Sequence, residues 1–182
     1  MKTKYFLFVG SVVLLLLAFT ACAQAERDNP PQSDEPAGPF ATAVRQATER
    51  FSDVEAAKAA GYGMFMGCVN GPQEGAMGVH FANGDLVGDG ALDPTLPEAL
   101  IYESEGGKLR LVGVEYVVIA EAWHANSEMP PVLMGQLFHY VGSPNRYGLP
   151  AFYELHVWAW KSNPNGTFAD WNPQVSCEGY TS

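Results

Sequence analysis

The chain has little of what usually announces a function. It lacks G-x-S-x-G, H-E-x-x-H, a Walker loop and a dinucleotide fingerprint, which argues against the common hydrolase, zinc-protease and nucleotide-enzyme classes. Basic residues are scarce, 10 against 20 acidic, so nucleic acid and anionic membrane surfaces are poor partners, whereas cations and neutral molecules suit the charge. Loss of Lys2 and Lys4 with a leader would make the balance more acidic still. No apolar run reaches the roughly 20 residues of a membrane-spanning helix. Cysteine is nearly absent: of three, only Cys68 and Cys177 remain if Cys22 is lipidated. In an exported chain such an isolated pair predicts a disulfide. No internal repeat or second domain is visible.

What is present begins with an address. Two lysines precede the apolar stretch Tyr5 to Phe19, and the small residues Thr20-Ala21-Cys22-Ala23 follow, the order of a secretory signal. Phe19-Thr20-Ala21-Cys22 resembles a bacterial lipobox, with Phe19 where an aliphatic residue is usual. This predicts a leader over 1–22 and a lipid on Cys22. The rival is ordinary cleavage after Ala25, using Ala23-Gln24-Ala25. The polar, proline-rich stretch 23–39 reads as a tether, the only route to a membrane for a protein otherwise periplasmic or extracellular. Residues 40–182 form one domain of ordinary size. At 47% hydrophobic and 12% aromatic, the chain has material for a single core.

The domain opens with helix. Phe40, Val44, Ala47, Phe51 and Val54 recur at helical spacing, and Ser52-Asp53-Val54-Glu55 has capping-box form with Ser52 as N-cap. Two short helices, or one with a break near Ser52, should end at Gly61. Strand patterns follow: Tyr62 to Val69, "AMGVHFA", "EALIYE", "KLRLVGVEYVVIAE", "VLMGQLFHYV" and "AFYELHVWAW". Six short strands without intervening helix predict an α+β fold, mainly antiparallel β, curled into a barrel or sandwich. "NGDLVGDGALD" superficially resembles a calcium loop. Val87 replaces a ligand and no glutamate closes the loop, so it reads as a surface turn.

Polar residues inside apolar strands carry the chemistry. Alternation puts Leu109, Leu111, Gly113, Glu115, Val117 and Ile119 on one strand face and Val112, Val114, Tyr116 and Val118 on the other. Both faces are apolar, so Glu115 is a carboxylate within a core and needs a partner. His80, His139 and His156 lie in separate strands, and His124 falls on a loop. His80, Glu115 and His156 are compatible with a divalent transition-metal site of imidazole and carboxylate ligands. His139 or Glu154 would complete or orient the shell. The set is similar to cupin metal sites only loosely, since the H-x-H pair is missing, and no cupin function is transferred. Trp123, Phe138, Tyr140, Phe152, Trp158 and Trp160 gather around the same strands and could line a pocket for a flat or apolar ligand. Core packing explains them equally well, as it does the scattered methionines.

"FSDVEAAKAAGY", "GAMGVHF", "LPEALIYE", "LVGVEYVV" and "YELHVWAWKSNPNG", ending in "NPQVSC", resemble a group of exported bacterial proteins with no assigned activity. The resemblance covers Phe40 to Cys177 and implies that helical lead and β-rich body are one unit. It implies no mechanism. The expectation is an exported, lipid-anchored β domain with a His/Glu metal site in a polar-aromatic pocket, its enzymatic status open. The alternatives are a non-enzymatic binding protein for an apolar or aromatic small molecule, or a structural envelope protein.

Overall fold

Pro39 starts the first helix, α1 (Pro39–Thr48), in the turn where a missing N–H costs nothing. The computed structural model describes residues 38–71 and 73–181, together with Met1. The predicted leader, Cys22 and nearly all of the tether lie outside the described residues. Phe40, Val44 and Phe51 of the predicted stripe are buried. The break near Ser52 is a 3-10 turn, Glu49–Ser52, leading into α2 (Val54–Ala59). The cap is Asp53, not Ser52: Asp53 has the extended backbone, and its carboxylate accepts from the Glu55 N–H at 3.0 Å. The Ser52 hydroxyl turns back to the Glu49 carbonyl.

The strands are β1 (Gly63–Gly71), β2 (Gly75–Ala82), β3 (Ala99–Glu105) and β4 (Lys108–Ile119), with α3 (Gly84–Gly88) between β2 and β3. Then come α4 (Ala120–His124), β5 (Val132–Leu133), β6 (Gln136–Leu137), β7 (His139–Val141) and β8 (Phe152–Val157). Six of them form one antiparallel sheet in the order β1-β2-β3-β4-β8-β7. It curls into a half-barrel whose edges are β1 and β7. The α+β expectation holds. Gly106 and Gly107, both at positive φ, make the two-residue β3–β4 turn, a conformation that matches the strand twist. "VLMGQLFHYV" is not one strand: Met134 and Gly135 at positive φ fold it into the β5–β6 ribbon before β7 begins. The stretch expected to be a surface turn, "NGDLVGDGALD", contains the short α3, capped by Asn83.

Sheet register corrects the simple alternation. Tyr102 pairs with Leu111 and Ile101 with Gly113, so Val112 is a bulge. The bulge moves Leu109 and Leu111 to the side of Val114, Tyr116 and Val118, and Val112 to the opposite side with Ile101 and Trp158. The first side is the main core and packs under α1 and the 3-10 turn. Buried phenols there find backbone partners: Tyr102 donates to Phe51 O and Tyr116 to Pro94 O, each at 2.7 Å. The second side carries a smaller apolar cluster of Ala76, Ile101, Val112, Trp158 and Val175, and beside it a polar strip.

The C-terminal segment is tied to that second side. Cys68 and Cys177 form a disulfide across a sequence separation of 109 residues. Buried Glu103 pairs with Lys161 and accepts from the Ser176 N–H. A cross-link spanning this much chain is worth about 4–5 kcal/mol on the chain-entropy model. A Cys68→Ala, Cys177→Ala variant should therefore unfold at lower urea, by most of that free energy. An unchanged urea midpoint would remove the disulfide from the stabilising contacts.

Candidate metal centre

Three strands of the sheet, β2, β4 and β8, supply the polar strip. Glu115 on β4 faces Ala99 on β3 and His156 on β8, while His80 on β2 faces Ile101 on β3. β3 thus separates His80 from Glu115, but it offers only a methyl group at Ala99. Across that low point His80 Nε2 comes within 3.5 Å of Glu115 Oε2. Backbone geometry fixes His80 further. Gly78 has φ of +97°, and a Cβ there would lie 2.7 Å from the Tyr102 carbonyl oxygen, so only glycine lets β2 follow β3 this closely.

His80, Glu115 and His156 each present a donor atom, all within 4.8 Å of one another, and all three side chains are buried. Glu154, His156 and Asp170 satisfy the same condition of distance. These groups could hold a metal ion. His156 is 1% exposed, and neither ring nitrogen has a hydrogen-bond partner. His80 Nδ1 is likewise unpartnered. Buried polar atoms are normally satisfied, and each orphan costs about 1–3 kcal/mol, so lone pairs gathered in this way suit a cation. The ring of His156 is flanked by Trp158, nearly parallel at 6.4 Å between centroids, and by His80, edge-on at 6.1 Å.

Burial dominates the electrostatics. It lowers the His156 pKa to about 3, with His80 and His139 adding in the same direction. It lowers His80 to about 4, the Gly78 backbone opposing. Both imidazoles are therefore neutral at pH 7, the form that ligates metal. Burial raises Glu115 well above the usual carboxylate range, reinforced by the neighbouring Glu154 charge and a shared hydrogen bond. Glu154 rises to about 7 for the same first reason, the bond from Glu115 working against it. Without a cation the two carboxyls share a proton, as like charges packed together must.

A cavity of about 220 Å³ opens onto this strip. His80, Glu115 and Ala99 form part of its wall, and Phe65, Met66, Met77, Val87, Val117, Leu149 and Phe152 make most of the remainder apolar. Tyr147, from the segment before β8, closes one side and donates its hydroxyl to Met77 Sδ at 3.8 Å.

The predicted ligands and the predicted aromatic wall fare differently. His80, Glu115 and His156 meet, with Glu154 beside them and His139 linked through Asp170. Of the six aromatics, Phe152 lines the cavity and Trp158 backs His156. The other four do not line it. Trp123 and Phe138 belong to the main core, and Tyr140 is exposed against Tyr153. Trp160 turns to the helices and donates to Thr48 Oγ1. The reason is that β8 ends at Val157: Trp160 and Lys161 both donate backbone N–H groups to Val112 O, so alternation stops. His124 ends α4 rather than sitting on a loop, and bonds Ser127 O and the Tyr153 hydroxyl.

Sequence reasoning missed Asp170 and Glu98. Asp170 lies outside the strands, where no face alternation could place it. Buried Glu98 accepts from the Val117 N–H, and burial raises its pKa to about 8. Its position just before the apolar strand of "EALIYE" was the available signal. Comparison with protein-family models, curated proteins and solved structures finds no match to this chain.

Proposed function

We propose that this is an exported protein that binds a divalent transition metal through His80, Glu115 and His156 and presents it to a small apolar molecule in the adjoining cavity. The observation that carries the reading is the meeting of three buried donors with unpartnered imidazole nitrogens, two of which, His80 and Glu115, line the wall of an apolar cavity. Two imidazoles and one carboxylate suit zinc, iron, manganese or copper and leave coordination positions free. A metal bound there would supply Lewis acidity on the cavity side. The chain's own residues hold the donors neutral or anionic, exclude bulk water and give an apolar ligand its surface.

The export part of the proposal rests on the leader-like N-terminus and on the Cys68–Cys177 bond, which forms in oxidising compartments. A lipid on Cys22 would tether the domain. Among the described residues no helix is long and apolar enough to cross a membrane.

Elemental analysis after loading with zinc, manganese, iron or copper and exhaustive dialysis tests the metal. Wild type should retain at least one ion per chain that His80→Ala loses. Metal-free wild type after every loading would sink the proposal. The apolar cavity wall also favours a second reading, a binding protein whose polar strip only orients its ligand. Native mass spectrometry of protein from its own host would then show an organic adduct without metal.

A further inference from the structure

The unpartnered nitrogens of His156 and the position of Asp170 carry the proposal one step further. Asp170 Oδ1 is 3.2 Å from His139 Nδ1 and 3.7 Å from His156 Nδ1. Its carboxylate thus stands between a histidine on the edge strand β7 and one buried on β8. Glu154 pairs directly with His139 in the sheet register and lies two residues from His156 on the same face of β8. The donors of Glu154, His156 and Asp170 fall within 4.8 Å of one another, independently of His80 and Glu115.

We propose that Glu154, Asp170 and His139 form a second divalent-cation site beside the first, with His156 common to both. An acidic cluster alone would not justify this. The deciding feature is His156, 1% exposed, with both ring nitrogens unpartnered and one of them directed at Asp170. Asp170 is 27% exposed and His139 60% in their side chains, whereas His80 and Glu115 are 8% and 10%. The second site is therefore reached from solvent at the sheet edge, and the first from the apolar cavity. Two carboxylates and a histidine beside the shared imidazole suit zinc or manganese. When both ions bind, His156 gives one nitrogen to each as imidazolate, its remaining N–H proton passing to solvent. The carboxyl proton held between Glu115 and Glu154 is also released. The net charge brought by the cations is thereby reduced.

The inference builds on the first metal site, and zinc stoichiometry separates the two. Zinc-loaded wild type, His80→Ala, Asp170→Asn and a His139→Ala, Asp170→Asn pair would be dialysed and measured. Melting of each metal-free form would verify folding. The expected result is two ions in wild type and one in each variant, with zinc affinity for the second ion weakened at least about tenfold by Asp170→Asn alone. A single ion lost in His80→Ala but indifferent to Asp170 and His139 would overturn the second site and leave the first standing. A single ion lost with Asp170 and His139 but kept in His80→Ala would support the edge site and overturn the cavity site. No retained ion in wild type would overturn both.

Discussion

Glu115→Gln is expected to stabilise the metal-free protein at pH 8 and to cost it one bound ion. Glu115 is buried beside Glu154, and burial together with that neighbour raises its pKa well above the ordinary range. A glutamine of the same shape carries no charge, and its amide can donate to Glu154. A raised carboxyl opposes folding once the pH is above its unfolded value, so the metal-free variant should be the more stable of the two at pH 8. Zinc at 100 times its Kd stabilises the wild type by about 2.7 kcal/mol per ion, and the variant should lose one such increment. The opposite signs matter. A carboxylate kept only for packing could be replaced without effect on zinc, and one kept only for folding would not be better absent. Thermal melting with and without zinc reads both effects. A destabilised metal-free variant, or an undiminished response to zinc, would contradict this account of Glu115.

A pH dependence that metal binding partly offsets is the other large effect. Folded-state pKa values of Glu154 and Glu98 are raised to about 7 and about 8, and Glu115 is raised too. A raised carboxyl binds its proton more readily in the folded chain, so stability falls as pH rises from about 4.5 through those values. The histidines act in the other direction. His80 and His156, lowered to about 4 and about 3, charge first in the unfolded chain, so stability falls as pH drops below about 6.5. Metal-free protein should thus be most stable between about pH 4.5 and 6.5. It should lose about 2–4 kcal/mol on going from pH 6.5 to 8. Zinc competes with the protons on Glu115 and Glu154, not with that on Glu98, so its stabilising increment should grow over that interval. Calorimetric melting at pH 5.5, 6.5 and 8, metal-free and zinc-loaded, gives the comparison. A flat metal-free profile would contradict the raised carboxyl pKa values, and a zinc increment that shrinks toward pH 8 would show that the carboxyl cluster is not where the ion binds.

Local pattern settled a good deal. The spacing of Phe40, Val44 and Phe51 specified the helical lead, because a buried stripe must repeat with the helix turn. Alternating apolar strands separated by glycine and asparagine specified the antiparallel sheet. Buried polar residues stood out for a thermodynamic reason: Glu115, His80 and His156 in apolar runs are costly unless something pairs with them, so their presence was itself a signal. Pairing of Cys68 with Cys177 is what three cysteines leave if Cys22 carries a lipid, and the two form a disulfide.

Whatever depends on register, or on chain outside the strands, was settled by packing in three dimensions. The Val112 bulge exchanged the faces of half of β4, and one extra residue is invisible to a period-two pattern. Trp158 keeps the side of His156 that alternation gives it, but the end of β8 at Val157 sent Trp160 to the helices, because the backbone groups of Trp160 and Lys161 turned to Val112. Asp170 reached His156 from a loop, a contact that no spacing within "FADWNP" encodes. The low point at Ala99, over which His80 meets Glu115, exists only because β3 lies between β2 and β4. Residue order alone therefore named the side chains that could not be left unpaired in a core. Which of them meet was a matter of sheet order and loop path, since distance in space is not set by position along the chain.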